Sequence, residues 1–94
     1  MSFTKALFPI GKVVITPGAS DALREAGRTA EEFLLRHVCG DWGDLDTDDR
    51  LANDWAILQE DRILSSYAIA IDVTVWVLTE SDRSVTTLLL PSDY

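Results

Sequence analysis

His37, Cys39 and Asp41 set an imidazole, a thiol and a carboxylate side by side in the chain, and they include its only histidine and its only cysteine. Two chemistries would use them: a cysteine nucleophile with a histidine base, or a metal site. Neither is expected. A structural zinc site takes four nitrogen or sulfur ligands, and the chain holds one histidine and one cysteine. On a helix, positions 37 and 39 point about 200° apart, which separates nucleophile from base. His37 therefore reads as a structural histidine, hydrogen-bonded near a helix C-terminus whose dipole favours its charged form. Cys39 reads as a small buried apolar residue.

Asp44, Asp46 and Asp48 alternate as the first three ligands of a calcium loop would. The sixth position is then Asp49, where a glycine makes the sharp turn, and the twelfth is Trp55, where a bidentate glutamate belongs. This is not an EF-hand. Glu80, Asp82 and Arg83 read as a solvated turn. The chain has neither a phosphate-binding glycine loop nor a Gly-x-Ser-x-Gly elbow. No catalytic residue, metal ligand or cofactor is expected, and the protein reads as a non-enzyme.

What stands out instead is charge. Asp41, Asp44, Asp46, Asp48, Asp49, Asp54, Glu60 and Asp61 make up eight of the sixteen acids, and Arg50 is the one base among them. A net charge of −8 on 94 residues disfavours direct binding to nucleic acid or anionic lipid, which draw their affinity from lysine and arginine. It favours a basic protein partner. These eight acids are the predicted partner-binding residues. Trp42, in a glycine-flanked loop, is either their apolar anchor or a plug that fixes the loop to the core. The alternative is a homodimerising structural or regulatory module with a merely solvated acidic face. Its interface would be a strand edge such as Ser84–Leu90.

The elements that must position these residues follow from pattern. Phe3 to Phe8 reads as an arm, and Val13-Val14-Ile15 as a short β-branched strand. Thr16 caps a helix with Pro17 at its first position and Gly27 as its stop, and Ala19, Ala22, Leu23 and Ala26 share one face. Thr29 and Glu32 form a capping-box pattern ahead of a helix carrying Phe33, Leu34, His37 and Val38 on one side. Asp46 or Thr47 starts a third helix, with Leu51, Trp55, Leu58 and Ala52 as its predicted buried stripe. Three strands follow, over Ile63–Ile71, Val73–Thr79 and Ser84–Leu90, the last two joined by a Glu80–Arg83 turn. Trp55 and Trp76 are expected in the core. The order β-α-α-α-β-β-β predicts an α+β domain, with about three helices packed on one face of a small, mostly antiparallel sheet.

A hydrophobic fraction of 47% suffices for one core in a single domain spanning residues 1–94. The lone cysteine suits a reducing cytoplasm. Met1 to Ile10 lacks the pattern of a secretory signal, and no apolar run reaches the roughly 20 residues of a membrane span. A cytoplasmic location is expected.

Several segments together resemble a known group: Phe8-Pro9-Ile10-Gly11, Thr16-Pro17-Gly18-Ala19, Arg36-His37 with Gly40-Asp41-Trp42-Gly43, Arg62-Ile63-Leu64-Ser65-Ser66-Tyr67, Thr79-Glu80-Ser81-Asp82-Arg83-Ser84-Val85-Thr86-Thr87 and Leu88-Leu89-Leu90-Pro91. The chain is similar over nearly its whole length to small bacterial proteins carried by plasmids, phages and other mobile elements, often labelled plasmid-related. It departs from them near Asp72, where they tend to carry a glycine-containing hairpin turn. The resemblance implies a mobile-element setting and carries over no catalytic residues. Small acidic proteins of such elements include anti-CRISPR and anti-restriction inhibitors, several of which cover a nucleic-acid-binding surface, some as DNA mimics. The expectation is a non-catalytic inhibitor of a host defence effector that covers such a basic surface.

Overall fold

Four strands form one sheet in the order β1-β4-β3-β2, so the first and last strands of the chain lie side by side. The computed structural model describes residues 6–94; the start of the arm predicted from Phe3 lies outside them. The strands are β1 (Lys12–Ile15), β2 (Ile63–Ala70), β3 (Val73–Thr79) and β4 (Val85–Leu89). β1 runs parallel to β4, and both other pairings are antiparallel. Between β1 and β2 the chain forms α1 (Pro17–Ala26), α2 (Ala30–Val38) and α3 (Thr47–Gln59). The α+β architecture and the β-α-α-α-β-β-β order are those the sequence predicts.

The helix starts follow the expected capping chemistry. Thr16 accepts from the Ala19 amide, Thr29 from Glu32 and Asp46 from Asp49, each satisfying an amide the helix leaves unpaired. Gly27 ends α1 in the left-handed conformation. The β2–β3 hairpin turns through Ile71-Asp72. Asp72 takes φ +59°, where a short polar side chain is tolerated, and a bulge between Ala68 and Ala70 absorbs the remaining irregularity.

Alternation along β2, β3 and β4 sends Tyr67, Ile69, Val75, Val77 and Leu88 inward against Ala19 and Leu23 of α1 and Phe33 of α2. Alanine at the α1 contact lets helix and sheet approach closely. A second cluster joins Phe8, Trp42, Ala56 and Ile63. Each fully buried large side chain contributes about 1.5–3 kcal/mol, so the two clusters together supply most of the driving force.

Three expectations fail here. Leu51, Trp55 and Leu58 do not face the core: they are 52%, 63% and 75% exposed, and α3 buries Asn53 and Ala56 instead. The Ser84–Leu90 segment is no edge either, because β4 pairs with β1 on one side and β3 on the other. Trp76 is half-buried on the outer face of the sheet, edge-on to Tyr94.

Candidate functional site

Helix α2 ends in a turn that aims the acidic loop at the sheet. Gly40 takes φ +85°, and the Asp41 amide returns to the Arg36 carbonyl at 2.9 Å. Arg36 then grips Asp41 at 2.7 and 3.3 Å, and this guanidinium holds the Asp41 carboxyl below its ordinary range. The Tyr67 hydroxyl donates to the Asp41 carbonyl at 2.6 Å; burial pushes its pKa up to about 12, so it keeps its proton.

Trp42 comes next and is 3% exposed. Its ring stacks on Phe8 and meets His37 edge-on, and its indole N–H donates to Asp54 at 3.0 Å. Trp42 therefore fixes the loop to the core and is removed from the partner-binding set. The backbone beside it closes the outer edge of β2. Ser66 donates its amide to the Trp42 carbonyl and accepts from the Asp44 amide, at 3.1 and 2.7 Å. The Asp44 carboxylate accepts from the Ala68 amide at 3.0 Å, and Asn53 of α3 satisfies both the amide and the carbonyl of Leu64. One strand edge is thus covered, by a loop and a helix.

This sorts the predicted site residues into two groups. Asp41, Asp44, Asp46 and Asp54 are engaged in holding the loop, capping α3 and receiving Trp42. Asp48, Asp49, Glu60 and Asp61 are exposed, and their carboxylates make no hydrogen bond or ion pair with another described residue. Arg50, the base within the stretch, folds back onto the Gly43 and Leu45 carbonyls at 2.8 and 3.0 Å. The Asp44–Asp46–Asp48 alternation sends its three carboxylates to a strand amide, a helix cap and solvent. Among the described residues no group of three histidine, cysteine or acidic side chains could hold a metal ion.

Reading the sequence missed two contributors. One is the exposed ridge Leu51–Trp55–Leu58, which lies on one face of α3 in line with Asp48. The other is Arg83, whose guanidinium reaches the Ala56 and Asp61 carbonyls at 2.8 and 2.6 Å and so caps the C-terminal end of α3 from the β3–β4 turn. Neither left a local signal: periodicity marks a helix face without saying which way it points, and Arg83 acts across 22 residues or more.

His37 is 0% exposed and is held by a chain of hydroxyls. Ser65 lies 2.6 Å from Nδ1 and Thr79 lies 2.9 Å from Nε2. Thr79 continues to Thr86 at 2.7 Å, and Thr86 donates to the Ile10 carbonyl at 2.7 Å. That carbonyl can only accept, which fixes every proton in the chain. The Thr86 proton is committed to it, so Thr79 donates to Thr86. Nε2–H then donates to Thr79, and Ser65 donates to Nδ1. The network is complete with a neutral imidazole. Burial, reinforced by Arg83, lowers the His37 pKa from 6.5 to about 3, so the expectation of a charged histidine at the helix end is overturned. Cys39 is half-buried at the end of α2, not sealed in the core. His37 and Ser65 have no solvent-exposed surface through which to meet a substrate.

No helix of the described residues is long and apolar enough to cross a membrane. Comparison with family models, curated proteins and solved structures returned no match.

Proposed function

We propose that this chain is a non-catalytic protein-binding module, and that the outer face of α3 is its docking surface for a basic protein. The observation carrying this reading is the ridge Leu51–Trp55–Leu58, three large apolar side chains 52–75% exposed beside the exposed carboxylates of Asp48, Asp49 and Asp54 on the same helix. Stability gains little from a solvated tryptophan beside two solvated leucines, whereas an interface gains its anchor. Leu51, Asp54, Trp55 and Leu58 line a shallow cleft with an apolar floor and a carboxylate at its wall. An arginine or lysine fits this chemistry, its aliphatic stem on Leu58, its cation over the indole and near Asp48 or Asp54. Asp48, Asp49, Glu60 and Asp61 form an acidic rim that would steer a basic surface into register.

The partner to which we commit is a protein surface that otherwise holds nucleic acid. The resemblance to mobile-element proteins makes host defence effectors, of the CRISPR or restriction kind, the first class to test. The protein is immobilised and exposed to nuclease-treated bacterial lysate, with and without competing duplex DNA. The reading requires a basic, nucleic-acid-binding protein that DNA releases. Trp55→Ala should weaken that complex about 30-fold, in line with an anchor of roughly 2 kcal/mol, while the denaturation midpoint stays within about 0.5 kcal/mol of wild type. Asp48→Lys/Asp49→Lys should mainly slow association and flatten its salt dependence. A complex indifferent to Trp55→Ala would sink the proposal.

A further inference from the structure

The two edges of the sheet are treated differently, and from that difference we infer that β1 is a self-pairing edge which joins two copies of this chain antiparallel about a two-fold axis at Val14. On the β2 side, the outward amides of Leu64, Ser66 and Ala68 are all taken up by Asn53, Trp42 and Asp44. β1 has no such cover among the described residues. Lys12 donates its amide to Ser84, just before β4, and Thr16 to Leu88 of β4, so alternation turns the N–H and C=O groups of Val13 and Ile15 to the open side. Val13, Val14 and Ile15 are 38–39% exposed, a β-branched edge with no bulge whose one charge, Lys12, stands at its end.

The register is self-complementary. A two-fold at Val14 sets Val13 opposite Ile15 of the second copy, each exchanging N–H and C=O, for four inter-chain hydrogen bonds in all. It also sets Lys12 opposite Thr16 of the second copy, whose hydroxyl donates to Asp93 at 2.7 Å. Among the described residues Lys12 is the base that the fold leaves without a partner: every arginine bonds a carboxylate or a carbonyl, and Lys12 makes no ion pair. Pairing would bring its ammonium to the second copy's exposed Asp93 carboxylate, twice per dimer. Charge favours this edge for a second copy as well. α3 sits at the far side of each sheet, so the two acidic faces lie about 34 Å apart across eight strands, several times the roughly 8 Å screening length. This pairing is independent of the α3 docking reading and leaves that face open.

A four-residue strand buries far less than the roughly 1,200 Å² or more of typical stable interfaces, so the expected state is a concentration-dependent monomer–dimer equilibrium, not an obligate dimer. Sedimentation velocity over a wide concentration range should show it. Val13→Pro deletes one outward amide per copy and should weaken dimerisation about tenfold or more, with far-UV circular dichroism confirming the fold. Lys12→Glu, which leaves the backbone intact, should weaken it about fivefold. The decisive variant is Val14→Cys in a Cys39→Ser background. Its two thiols meet across the axis at a non-hydrogen-bonded pair about 4.5 Å apart in Cα, and mild oxidant should link them completely. A species that stays monomeric at all concentrations overturns the proposal, as does a dimer that ignores Val13→Pro and Lys12→Glu and leaves the thiols of the Val14→Cys variant unlinked. So does a monomer that adds a foreign extended peptide at β1 instead.

Discussion

Gly43→Ala is expected to cost about 4 kcal/mol of stability. A Cβ at that position would lie 1.9 Å from the Ser66 carbonyl oxygen and 2.7 Å from the Tyr67 ring, in a backbone already at φ +78°. Neither neighbour can retreat, since the oxygen belongs to a paired strand. The loop must therefore lift, which breaks the Ser66–Trp42 and Asp44–Ser66 backbone bonds and loosens the Trp42 indole. Two hydrogen bonds at about 1 kcal/mol each, with part of a buried aromatic at about 2 kcal/mol, set the scale. Gly27→Ala is the control. Gly27 also has a positive φ, +68°, yet a Cβ there would meet nothing within 4 Å, so only the roughly 1–2 kcal/mol conformational penalty applies. Urea midpoints of the two variants compare the effects directly. Equal losses would mean that the close approach of loop and strand contributes nothing.

Acid should destabilise the protein through His37 before it does so through the carboxylates. The folded pKa near 3 lies below the unfolded value of 6.5, so below pH 6.5 the unfolded chain binds a proton that the folded chain refuses. Stability is therefore full above pH 6.5 and falls as the pH drops towards 3, by at most about 1.4 kcal/mol per unit. By about pH 4.5 the loss relative to alkaline pH approaches about 2.7 kcal/mol, a large part of a small domain's stability. The carboxyls of Asp41, Asp82 and Asp93, held below their ordinary range by Arg36, Ser84 and Thr16, add their losses only at lower pH. His37→Gln keeps one donor and one acceptor for Thr79 and Ser65 but cannot take up the proton. Its urea-derived stability should be nearly flat over the same pH range; a slope equal to that of wild type would remove His37 as the cause.

Much of the architecture was legible because its signals are local. Thr16-Pro17, Thr29 and Asp46 announce helix starts through the hydrogen bonds their side chains make within three residues. Period-two alternation gives β2 and β3 nearly to the residue. What was not legible depends on partners far along the chain. The Leu51–Trp55–Leu58 face reads as core by hydrophobicity. Asn53 wins the inward position because its amide meets both polar groups of Leu64, a match no hydropathy pattern contains. Likewise, the sequence adjacency of Val73–Thr79 and Val85–Leu89 predicts their hairpin, but the parallel insertion of β4 beside β1 joins segments some 70 residues apart. The acidic stretch was visible as composition, and its division into bonded and unbonded carboxylates was not.

That division has an evolutionary consequence. Asp41, Asp44, Asp46 and Asp54 are tied to folding, so drift at those positions is checked by stability. The carboxylates of Asp48, Asp49, Glu60 and Asp61, with the three ridge side chains, answer to no partner among the described residues. Substitutions there cost a few tenths of a kcal/mol through the helix dipole and otherwise alter only what the surface recognises. On the docking reading proposed above, the same scaffold would be retargeted by changing a handful of letters on α3, with the fold left intact.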